Sequence, residues 1–280
     1  MRAFLLLFFF VSVVCGTTTD TPTIKQFTKV NDKRVNELSG IIKSKKYKNI
    51  YWTHNDSGDK AVIYALPLDK KLTKKNIKKI KIKGATHIDF EDISYYGDSI
   101  LIGDFGNNKN KRKDLCIYMI DEPNPYKDKK VKVIKKINIK FEDQKKFPAK
   151  KKNFDIEAMF TKDKKIYILT KHRDDTYTKL YRLKTIDKKI NILEKISEFD
   201  VKAKVTGADA TQDGKYVAVL TYKGIWLFKP KKRDENIFNG KKTYIKLKKD
   251  QYEAISFDEK NILFTNEKGK FFKFLYQSQI

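Results

Sequence analysis

The sequence predicts an all-β fold: a five-bladed β-propeller of four-stranded antiparallel blades, its last blade closed by the N-terminal strand. Three observations point to it. First, similar segments recur along the chain at Glu37-Leu38-Ser39-Gly40, Glu91-Asp92-Ile93-Ser94, Glu157-Ala158-Met159-Phe160, Thr206-Gly207-Ala208-Asp209 and Glu253-Ala254-Ile255-Ser256. Their uneven spacing averages about fifty residues, the period at which internal similarity signals propeller blades. Second, each segment runs into an apolar strand that ends in polar residues, as in Ile50-Tyr51-Trp52-Thr53-His54-Asn55-Asp56 and Leu101-Ile102-Gly103-Asp104. Third, the chain runs out after Lys270-Phe271-Phe272-Lys273-Phe274-Leu275, which reads as the third strand of the last unit. Residues from about Thr23 to Thr28 can supply the missing fourth strand, removing the edges that an open ring would leave. The alternative, six blades, would need a further stretch of about fifty residues, for which only the long segment between Asp121 and Asn153 offers room.

Within a unit the order is an inner strand with the acidic motif, a short turn, an apolar strand, a loop, a third strand and a lysine-rich fourth. Unit three shows it from Asp155-Ile156-Glu157-Ala158 through Ile166-Tyr167-Ile168-Leu169 and Lys179-Leu180-Tyr181-Arg182-Leu183 to Ile190-Asn191-Ile192-Leu193. In unit four, Gln212-Asp213-Gly214-Lys215 is a hairpin signal between the first two strands. No linker or low-complexity boundary appears, so residues 17–280 read as one domain.

Met1-Arg2-Ala3 followed by the apolar run Phe4 to Val14 is too short to span a bilayer comfortably and reads as a secretory signal peptide over residues 1–16. The expectation is a secreted, extracellular protein with no transmembrane segment in the mature chain; lipid anchoring through Cys15 is the alternative. Without the leader only Cys116 remains, within Leu115-Cys116-Ile117-Tyr118, so no intramolecular disulfide can form and the thiol reads as a small buried hydrophobe.

The 62 Lys and Arg against 35 Asp and Glu give a formal charge of +27, which favours anionic partners. The pattern carries no specific nucleic-acid motif. Lysines alternate with apolar residues in Lys79-Ile80-Lys81-Ile82-Lys83 and Val131-Lys132-Val133-Ile134-Lys135, which puts charge on one face of a strand and also discourages edge pairing.

Because first strands begin and second strands end on the same side, the motif acids and polar strand ends should converge on the central channel. Candidate ligand-binding residues there are His54, Asn55, Asp56, Asp104, Asn107, Arg112, Lys171, His172, Tyr222, Asn266 and Glu267. Crowded carboxylates imply raised pKa values or a bound divalent cation, and oxygen ligands favour calcium over zinc. The three histidines, His54, His87 and His172, show no zinc-type spacing. If the chain is an enzyme, the candidate groups are His54 as a general base and Lys171 or Arg112 as charge stabilisers.

Trp52-Thr53-His54-Asn55-Asp56-Ser57-Gly58, Phe90-Glu91-Asp92-Ile93, Ile102-Gly103-Asp104-Phe105-Gly106-Asn107-Asn108, Glu157-Ala158 and Val205-Thr206-Gly207-Ala208-Asp209 resemble the motifs of a family of secreted, mostly bacterial propeller-like proteins of unassigned function. A looser similarity is to the five-bladed calcium-activated nucleotidases, the apyrases, in which serine and glutamate from successive blades ring a central calcium. That likeness implies a metal set of Ser39, Glu91, Glu157 and Glu253, with Thr206, Gly207 and Asp209 as candidates for the remaining position, of which Asp209 is the one taken. Taken together, the sequence reads as a secreted, monomeric binding propeller, with a central calcium, that recognises an anionic or carbohydrate-bearing extracellular ligand. The alternatives are a calcium-dependent hydrolase of phosphate esters or anhydrides and a cell-surface interaction protein acting through its lysine-rich rim.

Overall fold

The computed structural model describes residues 22–279; the expected leader, residues 1–16 with Cys15, lies outside them. Alternating and fully apolar runs give an all-β chain. After β1 (Lys25–Lys29) come β2 (Leu38–Lys43), β3 (Ile50–Asn55), β4 (Val62–Pro67) and β5 (Lys78–Lys83), successive antiparallel neighbours. The pattern repeats in β6 (Phe90–Tyr96), β7 (Ser99–Asp104), β8 (Cys116–Asp121) and β9 (Lys130–Phe141). It repeats again in β10 (Asp155–Lys162), β11 (Lys165–Lys171), β12 (Tyr177–Leu183) and β13 (Asn191–Asp200). A separate sheet holds β14 (Val205–Ala210), β15 (Val217–Thr221), β16 (Gly224–Lys229) and β17 (Lys241–Lys246). The last sheet orders β18 (Tyr252–Asp258), β19 (Asn261–Asn266), β20 (Lys270–Leu275) and then β1, with Lys25 opposite Lys273 and Lys29 opposite Lys270.

The first strands touch in cyclic order: β2 against β6, β6 against β10, β10 against β14, β14 against β18 and β18 against β2. Apolar layers fill the spaces between consecutive sheets. Trp52, Ile63 and Ile80 meet Ile93, Ile102 and Tyr118 in one layer, and Leu38, Ile41 and Tyr64 meet Ala254, Leu263 and Phe271 in another. Each large side chain buried in this way contributes about 1.5–3 kcal/mol. Cys116 is buried in β8, and burial pushes its thiol up to about 11, so it packs as a small hydrophobe.

Every first strand carries a register shift at its second or third residue. Opposite its second strand, β2 skips Gly40, β6 skips Glu91, β10 skips Glu157, β14 skips Thr206 and β18 skips Glu253. A β-bulge re-aims the extra residue and increases local twist, so one feature of backbone geometry repeats at the start of each inner strand. This corrects one sequence alignment: the position equivalent to Glu91 is Gly40 in the first repeat, not Glu37 or Ser39, while Thr206 holds it in the fourth, as the repeated segments align it.

The lysine-rich fourth strands also depart from expectation. Expected as protected edges, β5 and β9 instead pair with each other in parallel over Lys81–Lys83 and Lys130–Lys132, and β9 pairs in parallel with β13 at Ile139 to Phe141. These pairings join three runs of strands into one twelve-stranded sheet.

Candidate metal centre

Two loops, one strand start and two bulges bring carboxylates together at the N-terminal ends of the first strands. Asp56 follows β3, Asp89 precedes β6, Glu91 fills the β6 bulge, Asp155 opens β10 and Glu157 fills the β10 bulge. Carboxylate oxygens of Asp56, Asp89 and Glu91 all lie within 4.8 Å of one another, as do those of Glu91, Asp155 and Glu157, so Glu91 belongs to both groups. Glu91, Asp155 and Glu157 are buried, while Asp56 and Asp89 are half-buried at the mouth.

Local sequence fixes each member. The Gly106 amide and the Phe105 amide both donate to the Asp89 carbonyl, and the Asp89 amide donates to Asp104 Oδ1 at 3.0 Å. A glycine is needed at 106, because a Cβ there would lie 2.2 Å from Glu91 Oε1 and 2.3 Å from Asp89 Oδ2. The loop after β7 therefore leans its bare backbone directly on the acids. Asn107 donates its amide to Asp155 Oδ1 at 2.6 Å and its side-chain amide to the Phe154 carbonyl. It also accepts the Arg112 amide, so Asn107 shapes the loop.

Part of the charge is offset internally. Arg173 Nε donates to Asp155 Oδ2 at 2.6 Å and Arg173 Nη2 to Glu157 Oε1 at 3.0 Å, while Lys171 Nζ sits 2.9 Å from Glu157 Oε2. Lys171 also donates to the Tyr222 hydroxyl at 3.2 Å and lies over that ring. Burial opposes the Lys171 charge, yet Glu157, Tyr222 and Glu253 hold it above the usual lysine range. Arg112 pairs with Asp104 at 3.2 Å and donates to the Gly106 carbonyl at 2.9 Å. Asp56, Asp89 and Glu91 form no ion pair among the described residues; Arg112 reaches Asp89 only through its longer-range field.

The acids titrate accordingly. Burial, then the charges of Asp89 and Glu157, push Asp56 up to about 7. Burial raises Asp89 too, against a hydrogen bond from Asp56 and the field of Arg112. Glu91 is raised well above the ordinary range by burial and by Glu157 and Asp56. Burial and Glu157 lift Asp155 to about 8 despite Arg173, and burial lifts Glu253 to about 8 despite Lys171. Without a cation, the cluster holds protons at neutral pH.

The structure gathers only part of the residue set expected from sequence. Asp56, Glu91 and Glu157 meet, and Glu253 feels Glu157 and Lys171 electrostatically. Ser39 does not face the acids as a ligand: its hydroxyl donates to the Glu91 carbonyl at 2.6 Å and so ties β2 to β6. Asp209 lies four residues beyond the first residue of β14, towards the opposite mouth, where it accepts the amides of Ala210 and Phe257 at 2.8 Å and the Ser256 hydroxyl at 3.2 Å. His54 is fully buried, edge-on to Phe90, with Nδ1 3.0 Å from the Asn55 carbonyl, and burial depresses it to about 4. A neutral ring sealed from solvent is not a poised general base. Asn55 spends its amide on the Arg34 carbonyl and Asp59, His172 is held by Asp175, and Asn266 bridges Asp250 and the Lys270 amide. Glu267 is exposed and accepts from Gln251. Sequence reasoning missed Asp89 and Asp155, which sit just before or at the start of a first strand, two residues ahead of a bulge acid.

The opposite ends of the first strands open on a cavity of about 1040 Å³ lined by Ser94, Thr161, Asp209, Ser256 and Phe257 among others. A smaller cavity of about 290 Å³, bordered by Arg34, Glu37, Asn55 and Asp59, lies beside the acidic end.

No protein-family model and no curated protein matches the chain. Among solved structures, it is similar to a gluconolactonase from Xanthomonas campestris at 8% identity, covering 90% of this chain and 89% of that one with a TM-score of 0.50. It is also similar to the Swd1 β-propeller domain of Myceliophteria thermophila at 10% identity, covering 86% and 97% with a TM-score of 0.45. At such identities likeness speaks to fold alone; the four-stranded runs and the cyclic contacts of their first strands are the arrangement of a β-propeller.

Proposed function

We propose that the chain is a five-bladed propeller that binds calcium at the acidic channel mouth through Asp56, Asp89 and Glu91, and there recognises an anionic or carbohydrate-bearing extracellular ligand. The count of five follows the cyclic contact of β2, β6, β10, β14 and β18. The extracellular setting rests on the leader read over residues 1–16.

One observation carries the metal reading: carboxylate oxygens from Asp56, Asp89 and Glu91 within 4.8 Å of one another, with Arg173 and Lys171 already engaged by Asp155 and Glu157. The donor set is all oxygen, which suits a hard dication. The bare backbone of Gly106 lets Asp89 and Glu91 come together over it, since a Cβ there would clash with both carboxylates. Glu157 and Asp155 form the inner acids of the cluster, already paired with Lys171 and Arg173, and Ser39 and Asp209 leave the ligand set. A calcium held at the mouth supplies Lewis acidity and open positions to hydroxyl or carboxylate oxygens of a ligand. The chain's own groups orient that ligand: the Tyr222 ring and hydroxyl stand beside Lys171 at the edge of the acids. A hydrolytic reading has less support, because His54 is sealed and Arg112 and Lys171 are committed to internal partners.

Calorimetric titration with calcium tests the reading. Binding is expected in the wild type, a large loss in Glu91→Gln and Asp89→Asn, and none in Asp209→Asn. No binding heat together with a melting curve indifferent to chelator, or loss only in Asp209→Asn, would overturn it.

A further inference from the structure

The outer surface carries a charge arrangement that neither the channel nor edge protection accounts for. Where β5 and β9 run in parallel, Lys81 is registered opposite Lys130 and Lys83 opposite Lys132, and all four are exposed. Strand geometry places their stems on a rectangle roughly 6.6 Å along the strands by about 4.8 Å across. Like charges directly opposite each other on a sheet are destabilising. None of the four forms an ion pair among the described residues, whereas nearby Lys79 and Lys135 pair with Asp59 and Asp187. The neighbouring ammonium of Lys130, together with the charges of Lys132 and Lys81, holds Lys83 below the ordinary lysine range. Nor do these lysines serve to keep other chains away from an edge: the Lys81 amide already donates to the Lys129 carbonyl at 3.0 Å, so the edge is occupied.

We propose that the grid of Lys81, Lys83, Lys130 and Lys132 is a docking surface for a linear sulfated polysaccharide, with sulfate groups lying over the opposed lysine pairs. The occupant is argued from charge complementarity and shape. Compact ammonium groups on flexible stems act as point charges that follow a string of anions without demanding planar, bidentate partners. Single-stranded nucleic acid would call for aromatic platforms among the cations, but the residues interleaved with the grid are Ile82 and Val131, with Val133 and Ile134 next along β9. A duplex would call for a helix or ribbon that enters a groove, and the grid lies on the face of a continuous sheet.

The test uses the full chain and a heparin octasaccharide, titrated at several salt concentrations beside a single-stranded oligonucleotide and vesicles containing phosphatidylserine. The variant Lys81→Gln, Lys83→Gln, Lys130→Gln, Lys132→Gln is compared with an equally neutralised control, Lys231→Gln, Lys232→Gln, Lys241→Gln, Lys246→Gln. At least a tenfold loss of octasaccharide affinity in the grid variant, a shallower salt dependence and near-wild-type binding by the control would support the proposal. Equal losses in both variants would reduce the effect to net charge and overturn it. So would no octasaccharide binding at low salt, or tighter grid-dependent binding of the oligonucleotide or the vesicles. Folding is monitored separately: the grid variant should melt at or above the wild-type temperature at low salt, because its substitutions remove opposed charges and no packed group.

Discussion

The two ends of the same inner strands bury carboxylates in opposite ways. Towards the cavity end, Asp92 accepts the amides of Ile93 and Met159 at 2.8 Å and of Ala208 at 3.4 Å, so one side chain ties β6, β10 and β14. Asp209 ties β14 to β18 in the same manner. At the acidic mouth, Asp56, Asp89 and Glu91 have one another for neighbours. A buried carboxylate surrounded by amide donors holds strands together, whereas one surrounded by carboxylates requires a proton or a cation. Residue type alone does not separate the two; the number of backbone donors within reach does.

The comparison predicts that the largest effect of a single substitution falls at the structural end. Asp92→Ala should cost about 3 kcal/mol or more in urea unfolding, because buried amides of three strands lose their acceptor. Asp92→Asn, which keeps one carbonyl oxygen, should cost less. An Asp92→Ala protein of unchanged stability would break the comparison.

Next in size is calcium itself. At one hundred times its Kd, the ion should raise unfolding free energy by about 2.7 kcal/mol, measured as a shift in the urea midpoint. Glu91→Gln should abolish that increment, and Asp209→Asn should keep it.

A smaller effect comes from pH in the presence of chelator. Carboxyl groups with folded-state pKa values above the unfolded value of about 4 carry extra protons when folded, so stability falls as pH rises. The window runs up to about 7 for Asp56 and about 8 for Asp155 and Glu253. Between pH 5 and 8 stability should therefore fall continuously in urea unfolding. Saturating calcium should flatten the slope, and an equal slope with and without calcium would separate the ion from these acids. The smallest effect is expected at Glu267, whose exposed side chain accepts only from Gln251; Glu267→Gln should change stability by less than about 0.5 kcal/mol.

Much of the fold was readable in the sequence because apolar and polar residues alternate with the period of a strand, and the hairpin turn at Asp213-Gly214 is local chemistry. The bulges were not readable. A bulge adds a residue without altering composition, so Gly40 hid behind the more conspicuous Glu37 and Ser39. The parallel pairing of β5 with β9 was invisible for another reason: lysine alternation looks the same on a free edge as on a joined one. At the candidate site, the bulge acids Glu91 and Glu157 stood out as repeats. Asp89 and Asp155 matter only because turns and strand starts carry them to the same point, which no spacing rule reports.

The pairing of β1 with β20 joins segments separated by nearly the whole chain. During synthesis, the earlier sheets can assemble as their strands emerge, but β1 has no partner until the last strands have left the ribosome. Contacts of such long sequence separation form slowly, and until they form, β1 and the outer side of β20 present unpaired backbone to other chains. The lysines of these two strands, Lys25 and Lys29 on one and Lys270 and Lys273 on the other, give the nascent chain a charge barrier against premature association during that interval.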